Sequence, residues 1–326
     1  MVSIITIVMA VALVWVLVTT VWMWRYQERV VFQPPAVSVD APAPARRVEF
    51  KASDNHQLFG YVVAPGTPGT PGTPATTGTP ANPVAPLPAV PPPGQSRGPL
   101  AGRAGRPETV VIAFHGNADL AAWTVPWAHE LAERAGVTVF VPEFRGYAGI
   151  PGLPTYASAA ADARGALEFV RTVLQPRDIV LYGHSLGSAL ATELAAHMRP
   201  QSPSALVLVS PFTSARDMAT RMLVPPIPGV WGMVSRVHYD TRALVANLDA
   251  PVFVSHGSRD LNIPARMGRQ VFAAARHPAD LLIIEGAGHN DVADVGGERY
   301  WRWLVKAVTR DSAPVTRAPQ SRLGAP

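Results

Sequence analysis

Asp178-Ile179-Val180-Leu181-Tyr182-Gly183-His184-Ser185-Leu186-Gly187-Ser188-Ala189-Leu190-Ala191 carries the strongest structural signal in the chain. An apolar run, Ile179 to Tyr182, ends in a Gly-x-Ser-x-Gly pattern, and small helix-compatible residues follow at once. That pattern between a strand signal and a helix signal predicts a nucleophile elbow. Gly183 and Gly187 leave room where strand and helix cross closely, and Ser185 must take a strained backbone conformation. The turn lifts the Ser185 hydroxyl clear of the sheet and sets its amide at the positive end of a helix.

Composition bounds what surrounds this turn. A chain of 326 residues buries one large core or two smaller ones. It contains no cysteine, which removes disulfides, thiolate metal sites and Cys nucleophiles. The formal charge of +5 comes mostly from scattered Arg. No basic stripe interleaves with aromatics, so nucleic acid is not an expected partner, and a mild attraction to anionic lipid fits better.

The N-terminal stretch Ile4 to Trp24 is apolar apart from threonines, and about 20 such residues span a bilayer as a helix. Trp22, Trp24 and Tyr26 at its end resemble an interfacial belt, and no basic residue precedes it, unlike a cleaved signal peptide. We expect an uncleaved single-pass anchor over 1–25 and a linker over 26–45. Arg25, Arg29, Arg46, Arg47 and Lys51 follow the span, so the positive-inside rule puts the main domain, 46–310, on the cytoplasmic side. Within that domain, Pro65 to about Pro107 repeats Gly-Thr-Pro and then turns Pro- and Gly/Arg-rich. It offers little to pack and reads as a disordered insert. The tail over 311–326 reads the same way.

Around the insert, strand and helix signals alternate. Val48–Ala52 and Leu58–Ala64 flank the turn signal Ser53-Asp54-Asn55 and predict an antiparallel pair. Strands are expected over Thr109–Phe114, Val137–Pro142, Ile179–Tyr182, Ala205–Val209, Pro251–Ser255 and Leu281–Ile284. Helices are expected over Trp123–Ala135, Tyr156–Leu174, the elbow helix to about Met198, Pro264–Ala275 and Arg299–Arg310. Continuous apolar strands separated by helices mean a mostly parallel sheet covered on both faces, with sites at the carboxyl ends of its strands.

The chemical candidates all follow strands. His289 sits on a Gly-rich loop after the last strand and is the expected general base toward Ser185. His56, His129, His197, His238 and His277 lack that placement, and the turn is expected to direct His184 elsewhere. Asp260 follows the 251–255 strand and is the expected carboxylate partner of His289, with turn formation before Pro264 as its plainer role. Asp249 and Asp280 precede strands, and Asp291 is close to His289 in sequence. The order Ser185, Asp260, His289 is that of a triad on an α/β-hydrolase sheet. His115-Gly116-Asn117-Ala118 follows another strand. The amides of Asn117 and Leu186 are the expected oxyanion donors, with Ala118 as the alternative to Asn117 and His115 supporting the loop. One such donor is typically worth about 2.7–4 kcal/mol in the transition state.

On these residues the chain, from about Val48 to Val308 without the insert, resembles an α/β-hydrolase. Within that superfamily it is similar to small membrane-anchored serine hydrolases with a His-Gly-Asn-Ala oxyanion motif, a depalmitoylase-like group. The stretches that carry the resemblance are His115-Gly-Asn-Ala-Asp119, Glu143-Phe-Arg-Gly-Tyr147, Gly183-His-Ser-Leu-Gly187, Ser210-Pro-Phe-Thr-Ser-Ala-Arg216, His256-Gly-Ser-Arg-Asp260 and Gly288-His289-Asn290. Arg29-Val-Val-Phe-Gln-Pro34 resembles that group's linker after its anchor. The resemblance implies hydrolysis of an ester, thioester or related acyl bond, with no metal or cofactor. Glu143 stands where the group usually has Asp, and the Pro-rich insert is not a feature of it.

A cap is expected over 211–240, where an apolar stretch from Met222 is broken by prolines and cannot be one long helix. It lines an acyl pocket, dips into the bilayer surface, or packs on the core; the first would mean a hydrophobic acyl substrate. Two other functions stand beside an esterase or thioesterase. One is a serine aminopeptidase-like enzyme, which needs an acidic group for the amine that the sequence does not single out. The other is a membrane-tethered scaffold using the insert as ligand, whose signature would be a broken triad.

Overall fold

The computed structural model describes residues 3–37, 39, 43–66, 107–223 and 227–309. The insert expected over 65–107, apart from Pro65, Gly66 and Pro107, and the tail over 311–326 lie outside the described residues.

In chain order the elements are α1 (Ile4–Val31), β1 (Arg46–Lys51), β2 (Gln57–Val63), β3 (Thr109–Phe114), α2 (Ala121–Ala135), β4 (Thr138–Pro142) and α3 (Tyr156–Phe169). A π-helical turn, Val170–Leu174, extends α3. Then come β5 (Asp178–His184), α4 (Leu186–His197), β6 (Ala205–Val209), α5 (Ala215–Met222), α6 (Ile227–Val234) and α7 (Thr241–Val245). The chain continues through β7 (Val252–Gly257), α8 (Ala265–Ala274), β8 (Pro278–Ile284) and α9 (Val292–Thr309).

The strands form one sheet in the order β1-β2-β4-β3-β5-β6-β7-β8. The β1/β2 and β2/β4 pairs are antiparallel, and every later pair is parallel. The alternation of strand side chains divides the core in two. Val110, Ile112 and Phe114 of β3 join the layer under α3, α4 and α8, whereas Val111 and Ala113 join the layer under α2 and α9. This is why β3 reads as an unbroken apolar run: both of its faces are covered.

Local chemistry sets the element ends. Thr155 and Ser158 form a reciprocal capping box that starts α3 at Tyr156. Gly136 in the left-handed region, φ 65°, closes α2. Two features escaped the sequence pattern. The short α7 has too few residues to show a period, and α9 begins at Val292 rather than Arg299, with Gly297 (φ 48°) breaking its helical backbone.

The cap stretch folds as two short helices, α5 and α6, in keeping with its prolines. Met222 and Met233 are 68% and 76% exposed, while Phe212, Val237 and Tyr239 are buried. The cap therefore packs on the core along one side and shows methionines on the other.

Among the described helices α1 is long and apolar enough to cross a membrane, and its most apolar stretch is not buried in protein. It runs to Val31, through residues expected to be linker. Met23 and Gln27 are buried against the body, so the last turns of α1 belong to the globular part.

Phe50, Phe140 and Phe169 interlock with centroid distances of 5.5, 5.9 and 5.0 Å, joining β1 and β4 to α3. Phe140 is fully buried. Phe140→Ala is expected to cost about 3–5 kcal/mol, the usual range for a deleted core aromatic, read as a lowered urea midpoint with an unchanged slope.

Candidate active site

Ser185 occupies the turn between β5 and α4 with φ 53° and ψ −117°, a conformation outside the regions a side chain favours. Two backbone approaches enforce it. A Cβ on Gly183 would collide with the Gly187 carbonyl, and one on Gly187 would collide with the Phe114 carbonyl of β3. Strand and helix thus cross at contact distance only because both positions are glycine. The Ser185 amide donates to the Val209 carbonyl of β6 at 2.9 Å, tying the turn to the neighbouring strand.

The structure brings the three expected side chains together. His289 Nε2 lies 2.9 Å from Ser185 Oγ, and His289 Nδ1 lies 2.7 Å from Asp260 Oδ2. The carboxylate accepts, so Nδ1 carries the proton and Nε2 offers its lone pair to the Ser185 hydroxyl. The Asp260 carboxylate is fully buried and the His289 side chain is 12% exposed. Burial alone would raise the Asp260 pKa. Hydrogen bonds from His256, His289 and the Ile263 amide outweigh that and hold it well below the usual carboxylate range. Asp260 Oδ1 also accepts from the amides of Asn262 (2.9 Å) and Ile263 (2.8 Å). The turn role and the partner role of Asp260 are therefore met by its two different oxygens.

The other acidic candidates are used elsewhere. Asp249 pairs with Arg276, Asp280 pairs with Lys306, and Asp291 accepts from the Gly288 amide.

Three contacts around the His289 loop had no sequence signal of their own. His184 Nε2 donates to the His289 carbonyl at 3.0 Å, so its ring is directed at the backbone of the candidate base. Ser210, another residue with positive φ (49°), donates its hydroxyl to the same carbonyl at 3.4 Å. Burial and the nearby His289 push the His184 pKa down to about 4, so this imidazole is neutral near pH 7. His256 Nε2 donates to the Ile263 carbonyl at 2.8 Å and lies 3.2 Å from Asp260 Oδ2.

The 115–118 loop lies at the carboxyl end of β3. His115 Nδ1 donates to the Gly116 carbonyl and Nε2 to Glu143 Oε1, both at 2.9 Å. Burial disfavours a charged ring here, but the Glu143 carboxylate, Asp119 and the Gly116 carbonyl raise its pKa above the ordinary value. Both of its ring nitrogens thus face acceptors. The other Glu143 oxygen accepts from the Ala121 amide at 3.0 Å, the first residue of α2, whose cap residue Leu120 has no side-chain acceptor. Glu143 therefore joins the loop to a helix N-terminus.

The Asn117 side chain is engaged by residues other than Ser185. Its Oδ1 accepts from the Tyr147 hydroxyl (2.9 Å) and from the Gln33 amide (2.8 Å). Among the described residues, neither the Asn117 amide nor the Leu186 amide donates to a protein acceptor.

A parallel sheet with an antiparallel edge, a serine on a strained strand–helix turn and an imidazole supplied from beyond the last strand define the class of protein. The chain belongs to the α/β-hydrolase superfamily. Residues 105–243 match the family described as serine aminopeptidase, S33. An uncharacterized protein of Mycobacterium tuberculosis is 37% identical over 161 residues, which are 48% of this chain and 54% of that one. The human alpha/beta hydrolase domain-containing protein 17B is 29% identical over 184 residues, 56% of this chain and 60% of that one. The chain thus spans little more than half the length of these curated relatives. Among solved structures, a Pyrococcus furiosus esterase superposes with a TM-score of 0.59 at 16% identity, covering 85% of this chain and 98% of its own. An acetyl xylan esterase from Paenibacillus gives 0.56 at 16% identity, covering 88% and 93%. At such identity the likeness speaks for the fold alone.

His184 gives a pH-dependent stability of defined sign. Its folded pKa of about 4 lies below the ordinary 6.5, so the unfolded chain binds the extra proton between these values. Stability is expected to fall as pH drops from 6.5 toward 4, with the Asp260 contribution lost only below the usual carboxylate range. Urea titrations at stepped pH check this, and His184→Gln is expected to flatten the upper part of that decline.

Proposed function

We propose that the protein is a membrane-anchored serine hydrolase that cleaves an acyl ester or thioester through an acyl-enzyme. The observation that carries this reading is the continuous relay Ser185 Oγ, His289, Asp260, at 2.9 and 2.7 Å, on a strained elbow.

Ser185 Oγ attacks the substrate carbonyl carbon while its proton passes to His289 Nε2. Asp260 holds Nδ1 and stabilises the imidazolium so formed. The carbonyl oxygen takes the negative charge and is met by the Asn117 and Leu186 amides. Collapse of this intermediate breaks the acyl bond, and His289 returns the proton to the departing alcohol or thiol. Water then gives a proton to His289 and attacks the acyl-enzyme, releasing the acid and restoring Ser185.

A hydrophobic acyl substrate suits the surroundings. The candidate anchor α1 packs on the cap, and Met222, Met233 and Leu261 are exposed. Such a substrate resides in or at the bilayer, where an anchored enzyme meets it. The basic residues after the apolar stretch favour a domain on the cytoplasmic side. The match to a serine aminopeptidase family favours a second reading, in which the same relay cleaves a peptide bond next to a free amino terminus.

A fluorophosphonate probe is expected to label the full chain, and Ser185→Ala to abolish labelling; persistent labelling of the variant overturns the assignment. Asp260→Asn is expected to lower kcat by about 10⁴-fold, the loss seen when a triad histidine is left in the wrong tautomer. p-Nitrophenyl esters of rising chain length, acyl thioesters and an aminopeptidase substrate, assayed side by side, separate the two readings. A rate that rises with acyl length supports the first. Carbonate extraction tests the anchor, which keeps the protein in the membrane fraction.

A further inference from the structure

The last turns of α1 make polar contacts that an anchor has no need of. Gln27 is fully buried. Its Nε2 donates to the Trp24 and Val234 carbonyls, each at 3.2 Å, and its Oε1 accepts from the Arg236 amide at 2.6 Å. One carboxamide thus stitches α1 to the chain leaving α6. The Arg236 guanidinium donates to the Trp24 carbonyl at 2.9 Å, lies over the Trp24 ring and sits 3.4 Å from Glu28. Glu28 in turn accepts from the amide of Tyr156, the first residue of α3, at 3.3 Å. Phe32 then enters the core, and the chain reaches Gln33.

The Gln33 amide ends this series on Asn117 Oδ1. Pro34 and Pro35 follow, so Gln33 is restricted to extended backbone and holds its amide direction at low entropic cost. Asn117 is the loop residue whose own amide faces the developing oxyanion in the mechanism above. Its side chain is gripped by two donors, the Tyr147 hydroxyl from the body and the Gln33 amide from the N-terminal segment. A side chain held at both sides fixes the peptide that bears it.

We propose that the segment Gln27–Gln33 is a positioning element of the hydrolase site: it seats the candidate anchor on the cap and, through the Gln33 amide, holds Asn117 so that the oxyanion amide is aimed. This rests on the hydrolase reading, and it makes the membrane-proximal segment part of the machinery rather than a tether. The contact acts on an amide whose interaction with the oxyanion is made in the transition state, so the effect belongs to kcat and not to KM.

The test uses the full chain in detergent micelles with a p-nitrophenyl ester that the wild type turns over. Gln33→Pro removes the amide donor, and Asn117→Ala removes its acceptor. Each is expected to lower kcat at least tenfold with KM within twofold of wild type. The double variant is expected to lose no more than Asn117→Ala alone, because that substitution already removes the acceptor of the Gln33 amide together with that of the Tyr147 hydroxyl. Tyr147→Phe, which removes only the other donor, is expected to lower kcat in the same direction and serves if Gln33→Pro lowers the melting temperature. Wild-type kcat in both single variants, or losses that multiply in the double, overturns the proposal while the hydrolase reading stands. A wild-type chain that takes no fluorophosphonate label and turns over no ester overturns both.

Discussion

The site rests on the contact crossing of β5 and α4. Gly183 lies against the Gly187 carbonyl, and Gly187 lies against the β3 backbone at Phe114. With no side chain between them, strand and helix approach so closely that the residue at the turn is forced to φ 53°. That strain is supported by the surrounding sheet, where the Ser185 amide is bonded to β6. The position of the serine at the turn is thus set by backbone geometry, before any partner side chain acts on it.

From that crossing outward, each partner is delivered by the carboxyl end of a different strand. β7 leads to Asp260, β8 to His289 and β3 to the 115–118 loop. Since the strands are parallel there, these ends share one edge. Precision comes from backbone restraints on the loops. Two amides orient the Asp260 carboxylate, and two side chains hold the His289 carbonyl. The buried His115–Glu143 pair fixes the Gly116 carbonyl and caps α2 with the same glutamate. A buried polar pair at this depth is costly to break from one side, because the remaining partner is left without its hydrogen bond. Its value here is in specifying a single loop conformation. Glu143, which departs from the usual Asp of the resembling group, satisfies both ends of this link.

The N-terminal helix has two physical environments along one axis. Its first part is apolar on all sides and unburied, as a bilayer segment requires. Its last part carries Gln27 and Glu28, which are engaged by the segment after α6 and by α3. The body of the protein therefore reads the end of this helix as one of its own elements.

How far the sequence alone reached follows from what leaves a periodic or positional trace. Apolar runs bounded by turn residues located every strand of the sheet, and the strand–Gly-x-Ser-x-Gly–helix context located Ser185. The rule that sites follow parallel strands selected Asp260 and His289 over their rivals. It did not reveal the end of α1, because apolar helix continues smoothly into amphipathic helix and both show the same period. Nor did it show that Gln33 meets Asn117, that His184 holds the His289 backbone, or that His256 shares Asp260. Those are contacts between side chains and distant backbone, made by single residues at irregular spacing. Periodicity records which face of an element is buried; only the folded chain decides which loop atoms come within 3 Å of one another.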